Sequence, residues 1–125
     1  MNIYIKIIPH AEQRYDTVGD WYYVGDDLHI RVSKMSDWRF EQLVVQHEYN
    51  EAILCEHDGI TQKQVDDFDM EFEKTRTPGD ESEPGDNPQA PYRRQHFFAT
   101  NTERQLADRL GVDWKDYEAE LASLP

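Results

Sequence analysis

Apolar and polar residues alternate along the first third of the chain. In "NIYIKIIP" the isoleucines alternate with Tyr4 and Lys6, which predicts a strand that ends at Pro9. The segments "DWYYV" and "LHIRVS" alternate in the same way on either side of Gly25–Asp27, and this spacing predicts a hairpin with a three-residue loop. The chain is therefore expected to begin with a small, mainly antiparallel sheet.

Further along the chain, apolar residues recur every three to four positions, which predicts amphipathic helices. Glycine and capping residues mark the ends of these helices, for example the capping box of Thr61 and Gln64 and the stop signal at Gly59. The predicted helices run from Trp38 to about His57, from Thr61 to about Lys74, from Pro91 to Leu110, and onward from Asp113.

Residues 77–91, between the second and third helices, are rich in proline, glycine and acidic side chains. This composition predicts a mobile loop exposed to solvent. We expect one α+β domain spanning residues 1–125, in which the small sheet packs on the central helix and two or three further helices cover it.

A histidine and a glutamate interrupt the main apolar face of the first helix. At about 100° per residue, His47 and Glu51 lie one turn apart on the face that also carries Phe40 and Cys55. An ionised carboxylate in such a place costs several kcal/mol unless it is paired, hydrogen-bonded or bound to a metal. Because positions i and i+4 point the same way, these two side chains can share one ion.

The third helix repeats this pattern, with His96 and Glu103 on its apolar face. If the two faces pack together, His47, Glu51 and His96 converge, and two histidines with one glutamate are a known ligand set of catalytic zinc. Glu103 lies about two turns, roughly 10 Å, from His96. We therefore expect Glu103 to orient an imidazole rather than bind the ion, and Asp69 on the second helix has the same predicted role.

Composition narrows the partners that this chain is expected to bind. The 125 residues carry a net charge of −13, which repels phosphates and anionic membranes, so direct binding to nucleic acid or membrane is not expected. The single cysteine, Cys55, excludes an internal disulfide and suits a reducing compartment. No segment has the pattern of a signal peptide or a membrane span. These features predict a cytoplasmic protein.

The segment from Asp20 to Cys55 resembles the zincin metallopeptidases. Its motif, "HEYNEAIL", departs from their His-Glu-x-x-His pattern by Glu51 at the position of the second histidine. The resemblance implies a zincin-like sheet beside the motif helix, a Zn²⁺ ion at His47, and Glu48 as the general base on the metal-bound water. It also implies a peptide or protein substrate.

A second resemblance covers most of the chain. The segments "YDTVGDW", "HEYNEAILC", "PYRRQHFFAT" and "LGVDWKDY" are similar to a group of proteins from bacterial and phage genomes. That resemblance implies no particular activity. A phage origin would place the protein in the host cytoplasm.

Three functions from different classes are compatible with these features. The first is a zinc-dependent hydrolase, a small peptidase that uses Glu48 and a metal-activated water. The second is a binding protein in which the buried His–Glu cluster fixes helix packing, with or without a metal. The third is an acidic inhibitor that imitates DNA or docks on a basic, nucleic-acid-binding host protein, and the net charge of −13 motivates it.

Overall fold

The structure is a computed structural model, and it describes residues 1–124. Over this range the chain forms three strands and four helices. The elements are β1 (Ile3–Ile8), β2 (Gly19–Val24), β3 (Asp27–Ser33), α1 (Trp38–Asp58), α2 (Gln62–Thr75), α3 (Arg93–Arg109) and α4 (Trp114–Ser123), with short 3-10 turns at His10–Glu12 and Pro84–Asp86. This arrangement confirms the α+β class. Within these residues no helix is long and apolar enough to cross a membrane.

The sheet is mixed, and the expectation of a mainly antiparallel sheet is wrong. β3 lies in the middle, antiparallel to β2 and parallel to β1. Alternation of apolar and polar residues identifies each strand, but it carries no signal for the direction of the neighbouring strand. Residues 9–18 lead the chain away from the end of β1, so that the later hairpin brings β3 alongside β1 in the same direction.

The hairpin turn between β2 and β3 is one residue shorter than the predicted loop. Val24 and Asp27 are paired across the two strands, so only Gly25 and Asp26 lie in the turn. Gly25 has a φ of +60°, a left-handed conformation that glycine adopts without the steric cost of a Cβ atom.

The main core lies between the sheet and α1. Leu28, Ile30 and Val32 of β3 are fully buried, and Trp21 of β2 is 5% exposed beside them. The predicted main face of α1 is buried, because this helix packs on β2 and β3 on one side and on α3 on the other. A second apolar stripe, on roughly the opposite face, is only partly covered: Val45, Tyr49 and Ile53 are half-buried, and Trp38 is 63% exposed.

Capping residues set the ends of the two helices that follow the sheet. The side chain of Asp37 accepts a hydrogen bond from the backbone N–H of Arg39 at the start of α1, and Gly59 ends this helix with a φ of +74°. Thr61 and Gln64 form the predicted capping box of α2. These capping residues fix where α1 ends and where α2 begins. The position of α2 then places Asp66, Asp69 and Glu73 along the wall of a cavity that α1 also lines.

Ile30→Ala and Ile5→Ala should differ strongly in their effect on stability. The two residues are paired across β3 and β1, but Ile30 is 0% exposed and Ile5 is 50% exposed. Ile30→Ala is expected to lower the free energy of unfolding by about 3–4 kcal/mol, because it leaves a cavity, and Ile5→Ala by less than about 1 kcal/mol. Urea unfolding measures both values. Equal losses would mean that β1 is covered as fully as β3.

Candidate metal centre

Two facing helices bring four polar side chains together inside the apolar contact between them. His47 and Glu51 project from α1, while His96 and Glu103 project from α3. All four side chains are buried, with exposed fractions between 5% and 8%. The spacing of apolar residues in the sequence turns these faces inward, so the packing of the helices forces the polar side chains to meet.

Three donor atoms form a small triangle at the centre of this cluster. His47 Nε2 lies 3.2 Å from Glu51 Oε2 and 3.2 Å from His96 Nδ1, and His96 Nδ1 lies 3.0 Å from Glu51 Oε2. Ligands held at about 2.1 Å from one ion, at angles of 90–110°, lie about 3.0–3.4 Å apart. The triangle therefore has the dimensions of three ligands around a single transition-metal ion.

The other nitrogen of His47 is held by a carboxylate. Glu103 Oε1 lies 2.7 Å from His47 Nδ1, and Tyr117 donates its hydroxyl hydrogen to Glu103 Oε2 at 2.5 Å. A carboxylate in this position accepts the Nδ1–H and leaves the Nε2 lone pair for a ligand role, as in carboxylate–histidine–metal sites. Glu103 thus lies where the sequence places it, as a partner of an imidazole.

The remaining oxygen of Glu51 is also satisfied. Trp21 donates its indole N–H to Glu51 Oε1 at 3.1 Å, which leaves Oε2 facing the two imidazoles. Burial raises the pKa of Glu51, but hydrogen bonds from His47 and His96 outweigh it and bring the pKa to about 2. Glu51 is therefore an anion at neutral pH.

The two imidazoles are bases strengthened by their surroundings. Burial alone would lower the pKa of each ring, yet the pKa of His47 is raised well above its ordinary value, by Glu103 and Glu51. The pKa of His96 rises to about 10, through its contact with Glu51 and the negative charge of the nearby Glu83. Without a metal, two protons thus balance the carboxylates, and one divalent ion can take their place with no change in total charge.

Glu48 lies at the edge of this centre and lines the same cavity as the triangle. Its side chain runs to the start of β2, where a Cβ atom on Gly19 would come within 2.5 Å of Glu48 Oε1. Burial, and then the negative charge of Glu51, raise the pKa of Glu48 well above its ordinary value. Gly19 therefore provides the space in which this carboxyl group approaches the site.

Asp69 is further from the triangle than its predicted orienting role requires. It accepts a hydrogen bond from the hydroxyl group of Tyr92, and the Tyr92 ring meets the His96 ring edge to face at 6.2 Å. Asp69 thus acts on His96 through a tyrosine rather than by direct contact. Burial raises the pKa of Asp69 to about 7, although its bond to Tyr92 opposes that change.

The acidic segment 77–91 is not simply a solvent-exposed loop, as its composition predicts. Its 3-10 turn, Pro84–Asp86, packs back on the site, and Gly85 is buried against His96. A Cβ atom on Gly85 would lie 2.3 Å from the imidazole ring, so only glycine permits this close approach. Composition reports that a segment is polar, but it does not show that a glycine within it can pack against a buried side chain. For this reason the composition of residues 77–91 does not predict the contact of Gly85 with His96.

A cavity of about 370 Å³ opens onto the centre, enough for a small organic group. Carboxylates from α1, α2 and the acidic segment line it, and Arg76 is the single arginine in the described part of its wall. Two residues that orient the ligands, Trp21 and Tyr117, also reach it, and both look like packing residues in the sequence. Alternation along the hairpin places Trp21 on the inward face of β2, and this is the sequence signal that could have identified it as a neighbour of the centre.

Comparison of this chain with protein-family models, with curated proteins and with solved structures gave no match. Any function for the centre therefore has to be argued from its own geometry.

Asp69→Asn should change how stability depends on pH. The pKa of Asp69 is about 7 in the folded protein and 3.8 in the reference state, so unfolding releases a proton between these values. The stability that this group contributes is complete below about pH 4 and is lost as the pH rises through 7. The wild type should lose on the order of 4 kcal/mol relative to Asp69→Asn across that window.

Urea unfolding from pH 4 to pH 8 measures this difference. Asp67→Asn, on the exposed side of the same helix, is the matched control. A wild-type-to-variant difference that stays constant over the window would contradict the burial of Asp69 as an uncharged acid.

Proposed function

We propose that this protein is a zinc-dependent hydrolase, a small peptidase, in which His47, Glu51 and His96 hold the ion. The observation that carries the proposal is the triangle of His47 Nε2, Glu51 Oε2 and His96 Nδ1, with sides of 3.0–3.2 Å. Borderline ligands of this kind, two imidazoles and a carboxylate, suit zinc. The hydrogen bonds of Glu103 and Trp21 support the proposal, because each leaves one ligand atom free to face the ion.

Held by His47, Glu51 and His96, a zinc ion would leave one position for water and would supply a water whose pKa is lowered towards neutrality. Glu48 is the group proposed to take the proton from this water. Its raised pKa favours this role, because it makes the ionised carboxylate a stronger base than that of an ordinary glutamate. Once protonated, the carboxyl group of Glu48 can pass the proton to the leaving amine.

The charge of the cavity favours one class of substrate over others. Its wall carries Asp66, Glu73, Glu81 and other acids in addition to the centre itself. Such a wall disfavours phosphate esters and other anions, and it favours a neutral or basic chain such as a peptide. The layout also supports the comparison with the zincins, because a motif helix beside a small sheet receives its third ligand from a later helix.

The full-length protein, purified without a histidine tag, should bind Zn²⁺ at this centre and be stabilised by it. At a free zinc concentration of about 1,000 times Kd, the free energy of unfolding should rise by about 4 kcal/mol. Below the pKa values of the two imidazoles, affinity should rise by up to about 100-fold per pH unit, because the ion displaces two protons. Calorimetric titration with Zn²⁺ at several pH values, together with melting curves, measures both effects.

Variants separate this site from chance binding at the surface. Glu103→Gln should weaken Zn²⁺ binding about 10- to 100-fold, and Glu51→Gln should weaken it more, since the first removes an orienting carboxylate and the second a ligand. Glu56→Gln and His57→Ala, exposed on the same helix, are the matched controls. If Glu51→Gln binds zinc as tightly as these controls, the proposed centre is wrong.

Glu48→Gln tests whether the centre is catalytic. The variant should keep the zinc content and melting temperature of the wild type, but lose at least about 100-fold of its rate of peptide cleavage. A pool of internally quenched peptides with neutral and basic residues is the substrate, and Glu56→Gln is again the control. If the zinc-loaded wild type cleaves none of these peptides, or if Glu48→Gln cleaves them at the wild-type rate, the hydrolase proposal fails and a structural metal remains.

A further inference from the structure

The imidazole ring of His96 has a second edge, which faces away from the triangle. Its Nε2 atom lies 2.9 Å from Glu83 Oε2 and 3.2 Å from Asp86 Oδ1, both in the acidic turn. The three donor atoms lie within 4.8 Å of one another. The contact of Gly85 with the ring holds the turn in this position.

The Nε2 atom is buried, yet it has no hydrogen-bond partner. His96 is only 5% exposed, and neither carboxylate lies in the direction in which an Nε2–H bond would point. A buried ring nitrogen without a partner is unfavourable, because it has lost its hydrogen bonds to water and gained none in the protein. Two carboxylates therefore lie close to this nitrogen without accepting a hydrogen bond from it.

The off-axis position of the carboxylates matches a shared ion. Two ligand atoms at about 2.1 Å from one metal, with an angle of 90–110° between them, lie about 3.0–3.4 Å apart. The lone pair of each atom then points at the metal and not at the other ligand atom. The distances of 2.9 and 3.2 Å agree with this arrangement. The side chains of Glu83 and Asp86 are 52% and 65% exposed, so water can complete the coordination.

The charges at this edge also favour a cation. Within residues 1–124, the salt bridges of Glu83 and Asp86 involve His96 alone, with no lysine or arginine. Two adjacent carboxylates repel each other, and a divalent ion between them removes that repulsion.

We propose that His96 Nε2, Glu83 and Asp86 form a second site, which binds a divalent transition-metal ion. The site does not rest on the zinc centre: with the triangle empty, His96 keeps its proton on Nδ1 and binds the second ion through Nε2 as a neutral imidazole. With both ions bound, the ring bridges them as an imidazolate, because the Nε2 proton passes to solvent when the Nε2–metal bond forms. The second ion then holds the acidic turn, Pro84–Asp86, next to His96 at the edge of the cavity.

Zinc stoichiometry of the full-length protein at pH 8, measured by equilibrium dialysis against Zn²⁺ alone, tests this site. The wild type is expected to bind two ions per chain and Glu83→Gln/Asp86→Asn one. Asp67→Asn/Glu71→Gln removes the same charge from exposed acids outside the site, and it should still bind two. His47→Ala should lose the other ion and keep the second.

Two results would overturn the second site. One is a wild type that binds no ion; the other is a Glu83→Gln/Asp86→Asn variant that binds as many ions as the wild type, which would place every bound ion outside this site, in the triangle or as an adventitious ion only. Far-UV circular dichroism establishes that the double variant folds. If it does not, the single changes Glu83→Gln and Asp86→Asn replace it, and each should weaken the second ion at least about 10-fold; unchanged affinity in both would reject the site.

Discussion

The buried carboxylate of Glu51, between two imidazoles and an indole, is the constraint on which the rest of the structure depends. An ionised group 6% exposed in an apolar contact is stable only if both of its oxygens have partners. Trp21 supplies one partner from the sheet, while His47 and His96 supply the others from α1 and α3. The sheet and these two helices are thereby fixed relative to one another, because a shift of any of them would leave a buried charge alone.

Further hydrogen bonds connect the residues around Glu51 to the other two helices. Tyr117 of α4 holds Glu103, and Glu103 holds His47, so the last helix is tied to the centre through two hydrogen bonds. On the other side, Tyr92 and Asp69 connect the ring of His96 to α2. The centre is therefore connected to the sheet and to all four helices. Replacement of its two protons by one ion would change the stability of the whole domain.

Periodicity in the sequence was enough to find the helices that carry the site and the faces on which the site lies. The helical spacing of His47 and Glu51 with apolar residues, and of His96 with Glu103, predicts both. The separation of His96 and Glu103 along the helix axis also predicts that they cannot bind one ion together. In the structure Glu103 instead contacts His47, which lies on the other helix. The residue that Glu103 meets depends on how α1 and α3 pack together, and the spacing of residues along one helix does not reveal this.

The parts that the sequence could not predict depend on tertiary contacts without a local signal. The direction of β1 relative to β3 depends on the path of residues 9–18. Trp21 and Tyr117 look like ordinary packing residues until the groups facing them are known. The acidic turn reaches His96 only because Gly85 has no side chain, and no compositional rule distinguishes this glycine from the others in the segment.

Anomalous diffraction at the zinc edge, from crystals grown with Zn²⁺, shows whether these three side chains hold the ion. We expect a peak about 2.0–2.1 Å from each of His47 Nε2, Glu51 Oε2 and His96 Nδ1. Crystals that show zinc elsewhere on the protein and none within the triangle would contradict it, and would leave the cluster as a buried network held together by protons.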